Sequence, residues 1–169
     1  IINLMAICNL PKGTEYFFSD LHGEHEAFIY LLRSSSGIIR EKIRETFGHI
    51  ISEEDEVRLA NLIYYPEKMI NQIKQANEYT EDWQKTAVYR LVQICKVVSS
   101  KYTRSKVRKK MPQEFAYIID ELIHTHYEDG DKRDYYENII STIINIDRAP
   151  NFLVQLCELI KRLAVDHLH

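Results

Sequence analysis

The chain has 169 residues, of which 45% are hydrophobic and 28% charged, with a formal net charge of -3. That length fits one ordinary domain, or one domain with an appended piece, and the composition excludes a disordered chain. The weakly acidic balance argues against bulk attraction to nucleic acid, and no apolar run reaches the ~18 to 20 residues needed to cross a bilayer.

Residues 1–13 end in Asn9-Leu10-Pro11-Lys12-Gly13, a turn signal. The aromatic run Thr14-Glu15-Tyr16-Phe17-Phe18-Ser19 has the composition of a strand. Asp20-Leu21-His22-Gly23 follows it directly, and Glu24 to Leu32 reads as a helix with Ala27, Phe28, Leu31 and Leu32 on one side. Beyond Ser34-Ser35-Ser36-Gly37 the pattern is helical almost to the end. Ile39, Ile43 and Phe47 recur at steps of four, and Ser52-Glu53-Glu54-Asp55 predicts a capped helix start running to about Tyr64. Pro66 suits the first turn of the next helix, to about Asn77. Thr80-Glu81-Asp82 opens a longer one with Val88, Leu91, Val92, Cys95 and Val98 as its apolar stripe.

The run from Lys101 to Lys110 holds six basic residues, which suit phosphate, a polyanion or an acidic partner surface, and a solvated linker between helices is the weightier reading. Pro112 restarts the chain, and Phe115, Ile118, Ile119, Leu122, Ile123 and His126 form another stripe. Asp129-Gly130-Asp131 reads as a turn. Tyr136, Ile139, Ile140, Ile143 and Ile144 carry a helix to about Asp147, and Pro150 begins the last, with Phe152, Leu153, Leu156, Leu159, Ile160 and Leu163. Residues 164–169 alternate in character and read as the start of a strand that is cut short. With so few strands to pair, the expectation is an amino-terminal fragment of a larger protein.

Chemistry concentrates at Asp20 and His22. Two apart just past a strand, they offer a carboxylate oxygen and an imidazole nitrogen from one tight turn, and divalent metals accept both donors. Gly23 lets the backbone turn beneath an ion. His25 and Glu26 lie in the same first helical turn and suit solvated surface. His124 and His126 do not share a helix face, and His167 and His169 fit a strand remnant or a frayed end. Cys8, Cys95 and Cys157 are far apart and form no C-x-x-C pair, as expected of reduced thiols in a cytoplasmic protein.

Phe18-Ser19-Asp20-Leu21-His22-Gly23-Glu24-His25-Glu26-Ala27-Phe28 resembles the first metal motif of the calcineurin-like metallophosphatases. Joined to Leu62-Ile63-Tyr64-Tyr65-Pro66-Glu67 and to Val165-Asp166-His167-Leu168-His169, it resembles more narrowly the class III fructose-1,6-bisphosphatases of Firmicutes and related bacteria. The resemblance implies a mainly α fragment with one or two strands of a truncated α/β sandwich, the parent being four-layered αββα. Residues 1–33 are then the start of the metallophosphatase domain, 34–163 a helical insertion and 164–169 the start of the next core strand.

It also implies Asp20 and His22 as ligands of the first of two Mn2+ ions, a sugar bisphosphate substrate, and removal of the 1-phosphate in gluconeogenesis. The second metal motif and the histidine that assists the leaving group are expected beyond residue 169. The isolated chain is therefore expected to be inactive, prone to self-association as a homo-oligomer, and without nucleic-acid or membrane partners. A phosphoprotein or nucleotide phosphatase with the same metal centre is one alternative, and a non-catalytic helical interaction module is another.

Overall fold

The computed structural model describes residues 37–125 and 130–165. Among them the chain forms eight α-helices: α1 (Gly37–Phe47), α2 (Glu53–Tyr64), α3 (Pro66–Gln75), α4 (Glu81–Ser99), α5 (Arg104–Lys110), α6 (Ala116–His124), α7 (Gly130–Asn145) and α8 (Ala149–Val165).

No strand occurs among the described residues, which corrects the expected mixed architecture. The strand expected at 14–19 lies outside them. At the other end, Ala164 and Val165 continue α8 rather than opening a strand. The physical reason is that Ala164 completes a helical stripe: with Leu156, Cys157, Ile160 and Leu163 it is shielded from solvent at steps of three and four, which a strand could not arrange.

α8 is the spine of the body. It packs most extensively on α4, and also against α1, α2, α3, α5 and α7. Phe152, Leu153, Leu156, Cys157, Leu159 and Ile160 are all fully buried, so the helix is apolar over most of its circumference. α4 answers with Val88, Leu91, Val92, Ile94, Cys95 and Val98. Around this pair, α1 contributes Ile39, Ile43 and Phe47, α6 contributes Ile119, Leu122 and Ile123, and α7 contributes Tyr136, Ile140 and Ile143.

The helix ends follow local chemistry. The hydroxyls of Ser52, Thr80 and Thr103 accept from the backbone N–H groups of Asp55, Trp83 and Lys106, each three residues on. Pro66 occupies the first turn of α3, where its missing N–H costs nothing. α3 and α7 close in the same way. Asn77 (φ 58°) and Asp147 (φ 62°) turn left-handed, so that Glu78 N–H bonds Ile73 O and Arg148 N–H bonds Ile143 O, each at 3.0 Å.

Three boundaries differ from expectation. Lys101 to Lys110 is no linker: residues 104–110 form α5, because Thr103 caps them and Val107 anchors the turn in the core. Gly130 and Asp131 belong to the first turn of α7 rather than to a turn between helices. α6 starts after Phe115, whose left-handed φ of 65° is held by packing. Its ring meets Phe152 edge-on at 5.3 Å and carries the Arg148 guanidinium 5.3 Å from its centroid.

Candidate metal motif and the charged clusters of the helical body

Asp20 and His22, the expected metal ligands, lie outside the described residues, as do His25, Glu26, His126, His167 and His169. Among the described residues, no group of three or more His, Cys, Asp or Glu is placed to hold a metal ion. His124 has a local role. Its Nδ1 lies 2.7 Å from the Asp120 carbonyl oxygen and 3.5 Å from Asp120 Oδ1, one helical turn away.

Charge is concentrated where α1 and α2 meet. Arg40 and Arg44 stand one turn apart on α1, and each brings its Nε to 2.9 Å from the same oxygen, Oε1 of Glu56. Arg40 also reaches Glu53 at 3.8 Å. Next in the same turn of α2, Asp55 is buried and points the other way. Its Oδ2 lies 3.7 Å from an Arg90 guanidinium nitrogen on α4, and its Oδ1 lies 3.9 Å from Arg58.

The first turn of α2 therefore divides its acids. Glu53 and Glu54 are exposed, while Asp55 and Glu56 bind α2 to α4 and α1. Composition does not reveal this division, although Arg40 and Arg44 at i,i+4 ahead of an acidic helix start are a signal for it.

A second cluster joins α1 to the end of α4. Lys42 is buried and places its ammonium 3.3 and 3.4 Å from the two Glu45 carboxylate oxygens, with Lys101 3.9 Å from the same carboxylate. It is chiefly interaction between the two amines that raises the pKa of Lys42 and lowers that of Lys101.

Basic and hydroxyl side chains also satisfy carbonyls at helix ends, which otherwise lack partners. Lys96 Nζ donates to Thr125 O at 2.6 Å, Tyr102 Oη to Leu163 O at 2.9 Å, Lys161 Nζ to Tyr64 O at 3.3 Å and Arg162 to Lys110 O at 3.1 Å.

Cys95 and Cys157 are free, fully buried and near each other across the α4–α8 contact. Burial pushes both thiols well above their ordinary range, away from nucleophilic use. These arrangements stabilise a helical body; among the described residues they assemble no catalytic group. No helix there is long and apolar enough to cross a membrane.

Comparison with known proteins supplies what this geometry does not. The family described as Firmicute fructose-1,6-bisphosphatase matches residues 1–169. Over all 169 residues the chain is 52% identical to a class 3 fructose-1,6-bisphosphatase of Clostridium novyi (strain NT). It is 53% identical over the same span to the class 3 fructose-1,6-bisphosphatase of Clostridium botulinum (strain Okra / Type B1). In both cases 100% of this chain aligns with 25% of the relative, so the sequence spans about a quarter of the curated relatives' length. No solved structure matches.

Proposed function

The chain belongs to the Firmicute fructose-1,6-bisphosphatase family, and from that membership we propose that the protein carrying it hydrolyses the 1-phosphate of fructose 1,6-bisphosphate. The observation behind this reading is 52% identity over the whole chain to a class 3 fructose-1,6-bisphosphatase. A match that runs through the helical stretch, which makes up most of the aligned span, favours the sugar bisphosphate over phosphoproteins or nucleotides. It also favours an enzyme over a purely helical interaction module.

In this reading residues 1–33 begin the metallophosphatase domain, and residues 34–163 are the helical insertion whose packing is described from residue 37. Asp20 and His22 are the groups of this chain that hold metal. Their donor set, one carboxylate and one imidazole two residues apart, fits a divalent ion such as Mn2+. A bound ion there supplies positive charge to the phosphoryl oxygens as negative charge develops on them.

Asp20 contributes an anionic oxygen ligand, and His22 contributes a neutral ring nitrogen. Protons therefore compete with the metal for both ligands. Two ligands do not complete a dinuclear centre, so the 169-residue segment alone is expected to release no phosphate. The cell compartment expected is the cytoplasm.

The test is manganese-dependent phosphate release from fructose 1,6-bisphosphate by the full-length protein, beside its Asp20→Asn variant. Strong release that collapses in the variant supports both the substrate and the metal role of Asp20. Absence of release from this and other phosphoesters overturns the reading.

A further inference from the structure

Lys42 and Lys101 bring two amines to one carboxylate. Lys42 lies on α1 a turn before Glu45, and its side chain is buried, with Nζ 3.3 and 3.4 Å from the two Glu45 oxygens. Lys101 follows α4 by two residues and reaches the same carboxylate at 3.9 Å, with 45% of its side chain exposed. We propose that Lys101 is an acylation site, whose Nζ takes the acyl group of small acyl phosphates in preference to the exposed lysines of α5.

The meeting of the two amines is built into the fold. Ser100 N–H bonds Lys96 O at 3.1 Å and Tyr102 N–H bonds Ser99 O at 3.0 Å, so the backbone is held on both sides of Lys101. Tyr102 Oη also donates to Leu163 O on α8 at 2.9 Å. On the other side, Ile39 and Ile43 seat α1 in the core and fix the turn that carries Lys42.

One carboxylate cannot serve two ammonium groups equally. Lys42 takes both oxygens at the shorter distances, and its pKa is raised, chiefly by its interactions with Lys101 and Glu45. Lys101 meets one oxygen from farther away. Its pKa is lowered chiefly by Lys42, through a hydrogen bond first and then through that residue's positive charge, against the weaker opposing pull of Glu45 and Glu41. Lys101 is therefore the amine that gives up its proton, and it is also the one that solvent reaches. A neighbouring cation that favours the neutral amine is a recognised way of making a lysine nucleophilic.

The lone pair on neutral Lys101 Nζ attacks the acyl carbonyl carbon. A C–N bond forms as the C–O bond to phosphate breaks, and phosphate leaves with that electron pair. The surplus proton on nitrogen passes to the Glu45 carboxylate and on to water. The product is an uncharged amide, which leaves Glu45 to Lys42 alone. A small donor meets the exposed amine directly from solvent, and the step uses no group of the metal motif.

Labelling of the full-length protein with limiting acetyl phosphate near neutral pH, read site by site by peptide mass spectrometry, tests this. Lys101 is expected to be acetylated about fivefold more than Lys106 and Lys109, which are exposed in the same basic run. These two lysines control for a generally basic neighbourhood. Lys42→Met, in protein whose circular dichroism is unchanged, is expected to bring Lys101 down to their level. Unfolding the unaltered protein in guanidinium chloride before labelling needs no variant and is expected to erase the difference. Native labelling of Lys101 no greater than that of Lys106 and Lys109 overturns the proposal. So does a preference that survives Lys42→Met or survives unfolding.

Discussion

Asp55 and Arg90 face each other between α2 and α4 with both side chains shielded from water and their nearest charged atoms 3.7 Å apart. Arg58 approaches the same carboxylate at 3.9 Å. A lone carboxylate facing two guanidinium groups in such a place neutralises charges whose desolvation is otherwise uncompensated. Asp55→Ala is therefore expected to cost about 3 kcal/mol in urea unfolding. Replacing both members, Asp55→Ala with Arg90→Leu, is expected to cost less than the sum of the two single changes. Strict additivity in that cycle shows that the two groups do not interact.

The helix starts provide a smaller and cleaner test. Ser52 and Thr80 each accept one backbone N–H, from Asp55 and Trp83, at 3.1 Å. Ser52→Ala and Thr80→Ala are each expected to lower stability by about 1 kcal/mol. The caps lie on different helices and share no partner, so the double variant loses about the sum. A loss beyond that sum shows coupling through the α2–α4 contact.

The buried thiols make a prediction about reactivity. Cys95 Sγ sits 3.9 Å from the Leu156 carbonyl oxygen, and both Cys95 and Cys157 are raised first by burial. In a Cys8→Ser background, a thiol reagent at mildly alkaline pH is expected to modify neither cysteine in the native protein and both after unfolding. Rapid native modification of either one contradicts the packing of α8 on α4.

Tyr79 is pushed up to about 12, first by burial and then by the negative charge of Asp147. A tyrosine whose folded pKa exceeds its unfolded value, about 10, contributes stability that is complete below the unfolded pKa. That contribution is lost as pH rises through the folded one. Tyr79→Phe, which cannot ionise, is expected to flatten the fall in melting temperature between about pH 10 and about 12. An unchanged alkaline profile removes Tyr79 as its cause.

Much of the helical body is legible from residue order alone. The stripe Val88, Leu91, Val92, Cys95 and Val98 is buried as its spacing indicates, and so is Phe152 to Leu163 on α8. Ser52, Thr80 and Pro66 mark the helix starts they predict. Asp20 and His22 stand as expected metal ligands on the resemblance of their segment, and they fall outside the described residues. The basic run misleads as a linker because its single apolar residue, Val107, is too weak a pattern to reveal a buried side. The alternation misleads at its first two residues, which continue α8, because Ala164 fits the helical stripe buried in the core.

The sequence by itself determined most of the helices, though not α5, many of their ends and the family. Those depend on groups within about four residues of one another, through helix periodicity and capping, or on direct identity with relatives. Tertiary structure alone decided which charges enter the interior and whom they meet: Asp55 with Arg90, Glu56 with Arg40 and Arg44, and Lys42 beside Lys101. Burial of an ion depends on partners from other helices, and no local pattern carries the distance between helices that meet only when the core closes.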